Sequence, residues 1–241
     1  MRAVRRLAVL AAALATLSLA GLAAAASTDP QVALDPKDMA WAATIVLTPA
    51  DVGKGWSPAA TSGASDDSGG TCSVATPDES DLTVTGAGAS PDFRRSDQSS
   101  VSAFTTIWQT ADQAQADWDR NIGLMPALLD CLGHEFEGAS TKRVRVSVVS
   151  SGPIAFATAA PRAAAYRMKL LFTRTVRVKK KLRHVSSVAN LDFVFLGGGR
   201  AFTLLSAFWF AKKPLTQAYE ESLAGTLATR MAKDPAAASA P

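Results

Sequence analysis

The sequence predicts an α+β domain, an antiparallel sheet of about five to six strands packed with two long helices in a single unit. Three observations carry that prediction. Stretches alternating apolar with polar residues follow one another between residues 143 and 211, joined by short turns. Two segments of helical period, 110–133 and 215–232, stand on either side of this meander, each opening on a threonine suited to capping. No repeat of fixed period interrupts the order.

The elements follow from local chemistry. Residues 37–47 place Met39, Ala40, Ala43, Val46 and Leu47 on one side of a helix. Thr48-Pro49-Ala50-Asp51 reads as an N-cap with proline at the first helical position, and Gly53 and Gly55 end that short turn before Trp56. Thr and Val alternate over 82–88. Over 99–110, Val101, Ala103, Thr105 and Ile107 oppose Ser102, Phe104, Thr106 and Trp108. Thr110 then caps a helix carrying Ala114, Trp118, Ile122 and Met125 at helical spacing; Pro126 is expected to bend or restart it before Leu128, Leu129 and Leu132. Strands follow at 143–150, 165–178, 185–196 and 201–211, the last two joined by Gly197-Gly198-Gly199-Arg200. Gly86-Ala87-Gly88 and Gly197-Gly198-Gly199 lack the spacing of a phosphate loop and read as turns. The final helix bears Leu215, Tyr219, Leu223, Leu227 and Met231.

Residues 1–26 read as a secretory signal peptide. Arg2, Arg5 and Arg6 precede an apolar run over 7–22, and Ala24-Ala25-Ala26 offers the small residues a signal peptidase cuts after. The run is short for a membrane span, and no second run of about twenty apolar residues follows. Leu19-Ala20-Gly21 is followed by Leu22 instead of a cysteine, so no thiol is placed to carry a lipid. The expected mature protein is a secreted single domain over 27–234, with a flexible Gly/Ser/Asp loop at 60–70 and a disordered tail at 235–241. For an exported chain with two cysteines, a Cys72–Cys131 disulfide is favoured over a metal site. Closing so long a loop contributes about 4 kcal/mol in the chain-entropy picture.

The formal net charge of +4 conceals a strong segregation. Residues 27–141 hold 17 acids and 5 bases, whereas residues 142–183 hold 12 bases and no acid. The opposite halves can meet within one molecule or between two. Little catalytic chemistry is in evidence. The two histidines, His134 and His184, cannot build a three-histidine metal site, and no Cys pair or His-x-x-x-His spacing supports zinc. His134 reads as a residue just beyond a helix end and His184 as part of a turn. There is no Gly-x-Ser-x-Gly elbow. Asp66-Asp67 lacks the EF-hand pattern. No catalytic residue, metal or cofactor is predicted.

Period-two spacing makes the basic segment the sharpest candidate. Arg143 and Arg145 point the same way on one strand, as do Arg167, Lys169, Arg177 and Lys179 on the next, leaving valines and leucines for the core. Such a face suits anionic envelope polymers or lipid headgroups, with at most peripheral membrane contact. Nucleic acid is not expected, because the strands lack interleaved aromatics. The plainer alternative is a solvated face that blocks edge pairing and is partly neutralised by N-terminal acids. A second candidate is an apolar pocket for a small or lipid-like ligand, lined by Phe193, Phe195, Phe208, Trp209 and Phe210. If helices cover both faces of the sheet, these aromatics are core instead.

The leader, the segment from Leu47 to Trp56, the strand ending in Phe104–Trp108, the helix start Thr110-Ala111-Asp112-Gln113-Ala114 and Cys131 together resemble actinobacterial exported sensor-like domains. That group includes extracellular domains of bacterial serine/threonine kinases and related secreted or lipid-anchored proteins. The resemblance implies an antiparallel sheet with packed helices, a groove or pocket, and no enzymatic activity. The chain departs from kinase-linked members in lacking a kinase or transmembrane segment, and from lipoprotein members in lacking the lipid-bearing cysteine. It has two cysteines where some relatives carry four, and no binding residue carries over. The leading expectation is thus a secreted, non-enzymatic ligand- or partner-binding domain of the bacterial cell envelope. The alternatives are a binder of anionic envelope polymers or membrane surface through the basic face, and a secreted hydrolase with an unrecognised site.

Overall fold

Strands as apolar as Leu191–Leu196 cannot face water on either side, and that requirement sets the architecture. The structure, a computed structural model, describes residues 29–59, 74, 77–178 and 181–235. In chain order the elements are β1 (Gln31–Val32), α1 (Pro36–Ile45), α2 (Pro49–Val52), β2 (Ser57–Pro58), β3 (Thr83–Ala89), β4 (Phe93–Arg94), β5 (Ser100–Trp108) and α3 (Ala111–Gly138), then β6 (Val144–Pro153), β7 (Arg162–Val178), β8 (Lys181–Gly198), β9 (Ala201–Phe210) and α4 (Gln217–Met231). One sheet runs in the order β1-β3-β5-β9-β8-β7-β6, with β4 beside β5 and β2 beside β4. The β1–β3 pair is parallel and the other pairs are antiparallel.

The α+β class is as predicted, but the sheet has nine strands instead of five or six. The additional ones, β1, β2 and β4, are two residues long, too short for any alternation to register. The helices are not all long either: α3 has 28 residues and α4 has 15, against 10 in α1 and 4 in α2. Pro126 does not restart α3, which runs on to Gly138 and so includes His134. His184 lies within β8 and not in a turn. The leader at 1–26, the loop at 60–70, Cys72, Lys179 and residues 236–241 lie outside the described residues. Among the described residues, no helix is long and apolar enough to cross a membrane.

Alternation divides the core in two. Leu191, Phe193 and Phe195 of β8, Phe202 of β9 and Met168 and Leu170 of β7 pack against Trp118, Met125, Leu129 and Phe136 of α3. Val194 and Leu196, with Ala201, Leu205 and Trp209 of β9, face the opposite way, against Trp41 and Ile45 of α1 and Leu223 and Leu227 of α4. Each such side chain, when fully buried, contributes roughly 1.5–3 kcal/mol.

Thr110 and Thr216 cap α3 and α4 through their side chains, which accept from Gln113 and Tyr219 amides, as expected. Gly199 takes φ 53 in the β8–β9 turn. Gly86 and Gly88, however, form no turn: they lie inside β3 beneath α1. A Cβ on Gly86 would stand 2.6 Å from the Asp38 carbonyl, and one on Gly88 would stand 2.7 Å from the Ala42 oxygen. The helix backbone rests directly on the strand there. Arg200 completes the attachment. Its guanidinium donates to both Asp38 carboxylate oxygens at 2.8 Å and to Asp234 at 2.9 Å, joining α1, the β8–β9 turn and the chain beyond α4. The guanidinium holds the Asp38 carboxyl below the usual range.

Substituting Gly86 by alanine is expected to lift α1 from the sheet and cost about 1–3 kcal/mol, read as a lowered urea midpoint at unchanged m-value. An alanine at Gly123, where a Cβ meets nothing within 4 Å, serves as the control.

Candidate anion-binding surface

The β7–β8 hairpin is longer than its neighbours, and this decides what the sheet leaves open. β6 pairs with β7 from Tyr166 to Arg174, and β9 pairs with β8 from Ala189 onward. On the α4 side, helix packing reaches the stretch of β8 around Val194 and Leu196. Further along the same side, pairing register sets Arg145 beside Thr173, Thr175 beside His184, Thr173 beside Ser186 and Arg177 beside Leu182. The Thr175 amide donates to the Arg143 carbonyl, which seats Arg143 in the next rung.

A shallow groove of about 400 Å³ crosses these strands, lined by Lys142, Arg143, Arg145, Thr173, Thr175 and His184 among others. Arg143, Arg145, Arg177 and His184 are exposed. The hydroxyls are already ordered: Thr175 Oγ1 lies 3.2 Å from His184 Nδ1, and Thr173 Oγ1 lies 3.1 Å from Ser186 Oγ. A second groove of about 410 Å³ lies over the β6 edge, where Arg145 meets Ser140, Ser147 and Glu137. The edge itself is occupied, since the Val146 and Val148 amides donate to Ser140 Oγ and the Glu137 carboxylate. Cationic side chains with hydroxyls in the intervening rungs form a surface suited to phosphate or carboxylate oxygens.

The predicted anion residues do not all belong to it. Arg143, Arg145, Lys169 and Arg177 share the open face, and none forms an ion pair among the described residues. Arg167 shares the face but is taken. It donates to both oxygens of Asp192, at 2.8 and 2.6 Å, and its guanidinium lies 5.0 Å from the Trp209 ring centre. No linear pattern announces this pair, because Asp192 reaches Arg167 only through the β7–β8 register. The same register brings in Thr173, Thr175, His184 and Ser186, which period-two reading of one strand could not select. Four of the N-terminal acids serve other cations: Asp51 pairs with Arg230, Asp81 with Arg120, and Asp92 and Asp97 with Arg94 and Arg95.

The five aromatic candidates line no single hollow. Phe193, Phe195 and Trp209 are buried, and Trp209 faces α4 while the two phenylalanines face α3. Phe208 and Phe210 are half-buried on the α3 side, their rings 5.4 Å apart. His134 is exposed on α3, 3.8 Å from Asp130. Among the described residues, no group of three metal-binding side chains gathers.

Two carboxyls are buried away from both grooves. Asp117, under α3, accepts from Trp108 Nε1 at 3.1 Å and Asn121 Nδ2 at 2.6 Å, and burial pushes its pKa up to about 7. Glu220, 1% exposed in the first turn of α4, is raised to about 9 by burial and by the neighbouring Asp192 carboxylate. It is held protonated at neutral pH.

No family profile matches the chain. No curated protein matches it either. Among solved structures it is similar to the extracellular domain of PknH from Mycobacterium tuberculosis, with a TM-score of 0.29 and 11% identity, over 63% of this chain and 66% of that one. At this level of similarity it transfers no functional residue.

Glu220 makes stability depend on pH with a defined sign. The folded state keeps its proton to about pH 9, whereas an unfolded glutamate releases it near 4.5. The contribution of Glu220 to stability is therefore fullest below about 4.5 and is lost as pH rises toward 9, with a slope approaching about 1.4 kcal/mol per pH unit. Glu220→Gln is expected to flatten the slope between pH 7 and 9, above the Asp117 transition, in urea unfolding followed against pH.

Proposed function

We propose that this chain is an exported, non-enzymatic domain that binds an anionic component of the cell envelope through the open face of β6, β7 and β8. The observation that supports it is the four bases Arg143, Arg145, Lys169 and Arg177 on one face uncovered by helix, without ion pairs among the described residues. A merely solvated face neutralised by the acidic half would place those acids near these bases. Five of them, Asp38, Asp51, Asp81, Asp92 and Asp97, pair instead with Arg200, Arg230, Arg120, Arg94 and Arg95, and Glu137 is the acid that lines a groove with one of these bases, Arg145. The carrier reading is weaker, since its aromatics divide between two packed cores. The non-enzymatic reading draws on the same partition: the carboxyls with the most displaced acidity, Asp117 and Glu220, are core groups, remote from the grooves.

Ligands of this surface are phosphate- or carboxylate-rich chains, held by several weak contacts of about 0.2–1 kcal/mol each. Inorganic polyphosphate is a suitable probe. Its affinity is expected to fall steeply with added salt, and the double variant Arg143→Ala/Arg145→Ala is expected to bind about fivefold more weakly with a shallower salt slope. Binding that ignores salt and both substitutions would return the reading to an apolar carrier.

Export and the Cys72–Cys131 bridge belong to this reading. Intact mass of protein recovered from culture medium is expected to begin near Ser27 and to be two hydrogens lighter than its reduced form.

A further inference from the structure

We propose that the outer stretch of the β7–β8 hairpin, Arg174 to Arg177 with Lys181 to Val185, docks on the anionic headgroup layer of a lipid bilayer, with Leu182 and Val185 entering it. This rests on the anion-binding reading and names the source of the anions. The β6–β7 ladder ends at Val144–Arg174, with one further hydrogen bond from the Thr175 amide to the Arg143 carbonyl, and the β8–β9 ladder ends at Ala189–Phe210, with one further bond from the Ala211 amide to the Val188 carbonyl. The hairpin therefore continues as a two-stranded ribbon. At about 3.3 Å per residue, Leu182 lies roughly 20 Å past the last β8–β9 pair.

The ribbon has an unusual composition for a free element. Leu182 is 70% exposed and Val185 is 51% exposed. Each lies directly across from an arginine, Leu182 from Arg177 on one face of the ribbon and Val185 from Arg174 on the other face, at the ribbon's base where β6 makes its last pair. Lys181 and Arg183 are exposed beside them, and no acid occurs between residues 142 and 183. A soluble polyanion would engage the charges and gain nothing from the apolar side chains. A bilayer surface engages both, because the apolar groups enter the acyl boundary while the long basic stems keep their charges among the phosphates. An apolar–cationic pair on one face of the ribbon, and a second on the opposite face at its base, suit a layer into which the hairpin dips. Arg143 and Arg145, on the groove at the base of the ribbon, add long-range attraction to the same surface.

The test uses the mature protein, vesicles of phosphatidylglycerol mixed with phosphatidylcholine, and inorganic polyphosphate as a soluble control. Leu182→Ser/Val185→Ser alters exposed positions only. It is expected to weaken vesicle binding about tenfold while leaving polyphosphate affinity within twofold. Arg143→Ala/Arg145→Ala is expected to weaken both. Vesicle binding of the Leu182/Val185 variant equal to wild type, with polyphosphate binding intact, overturns the bilayer proposal and leaves the anion-binding reading standing. Binding to neither probe by the unaltered protein overturns both.

Discussion

The central stretch of β8, Leu191–Leu196, must be buried on both sides at once, and the rest of the molecule is arranged around that requirement. Its odd residues feed the α3 core and Val194 and Leu196 the core under α1 and α4, while Asp192 on that same side is buried against Arg167. A single sheet with helices on both faces is the arrangement that removes both sets from water. The consequence reaches the surface. Helices cover the sheet where β8 is apolar, and the sheet lies open where the hairpin becomes basic and hydroxylated.

The same division governs the charges. Arginines close to the cores are consumed by structure: Arg200 clamps Asp38 and Asp234, Arg230 holds Asp51 and the Val46 carbonyl, and Arg167 lies against Asp192 and Trp209. Glu220 sits behind that last pair as a neutral carboxyl, because a second charge there would face the Asp192 carboxylate in a dry site. Bases farther along the hairpin have no such partners among the described residues. What distinguishes Arg167 from Arg177 is position on the strand relative to α4, since both occupy the same face.

Much of the fold was legible. Alternation marked β5, β6, β7, β8 and β9, helical spacing marked α3, and Thr110 and Thr216 announced the caps. Gly86 and Gly88 misled, because a glycine that opens a turn and one that admits a helix backbone are identical in sequence. Pro126 does not restart its helix, since a helix held by Met125, Leu129 and Leu132 on the core tolerates one missing donor. The strands β1, β2 and β4 are held by partners distant in sequence and have no pattern of their own.

By itself the sequence determined the strand and helix repertoire, the face on which each base lies and the segregation of charge, because these follow from local period and composition. Tertiary structure decided which members of that face are free. Register placed Asp192 across from Arg167, set Thr173, Thr175, His184 and Ser186 between the remaining cations, and let the hairpin outrun its neighbours. Those are relations between strands, and a one-dimensional pattern fixes the side of a strand without fixing what stands opposite it.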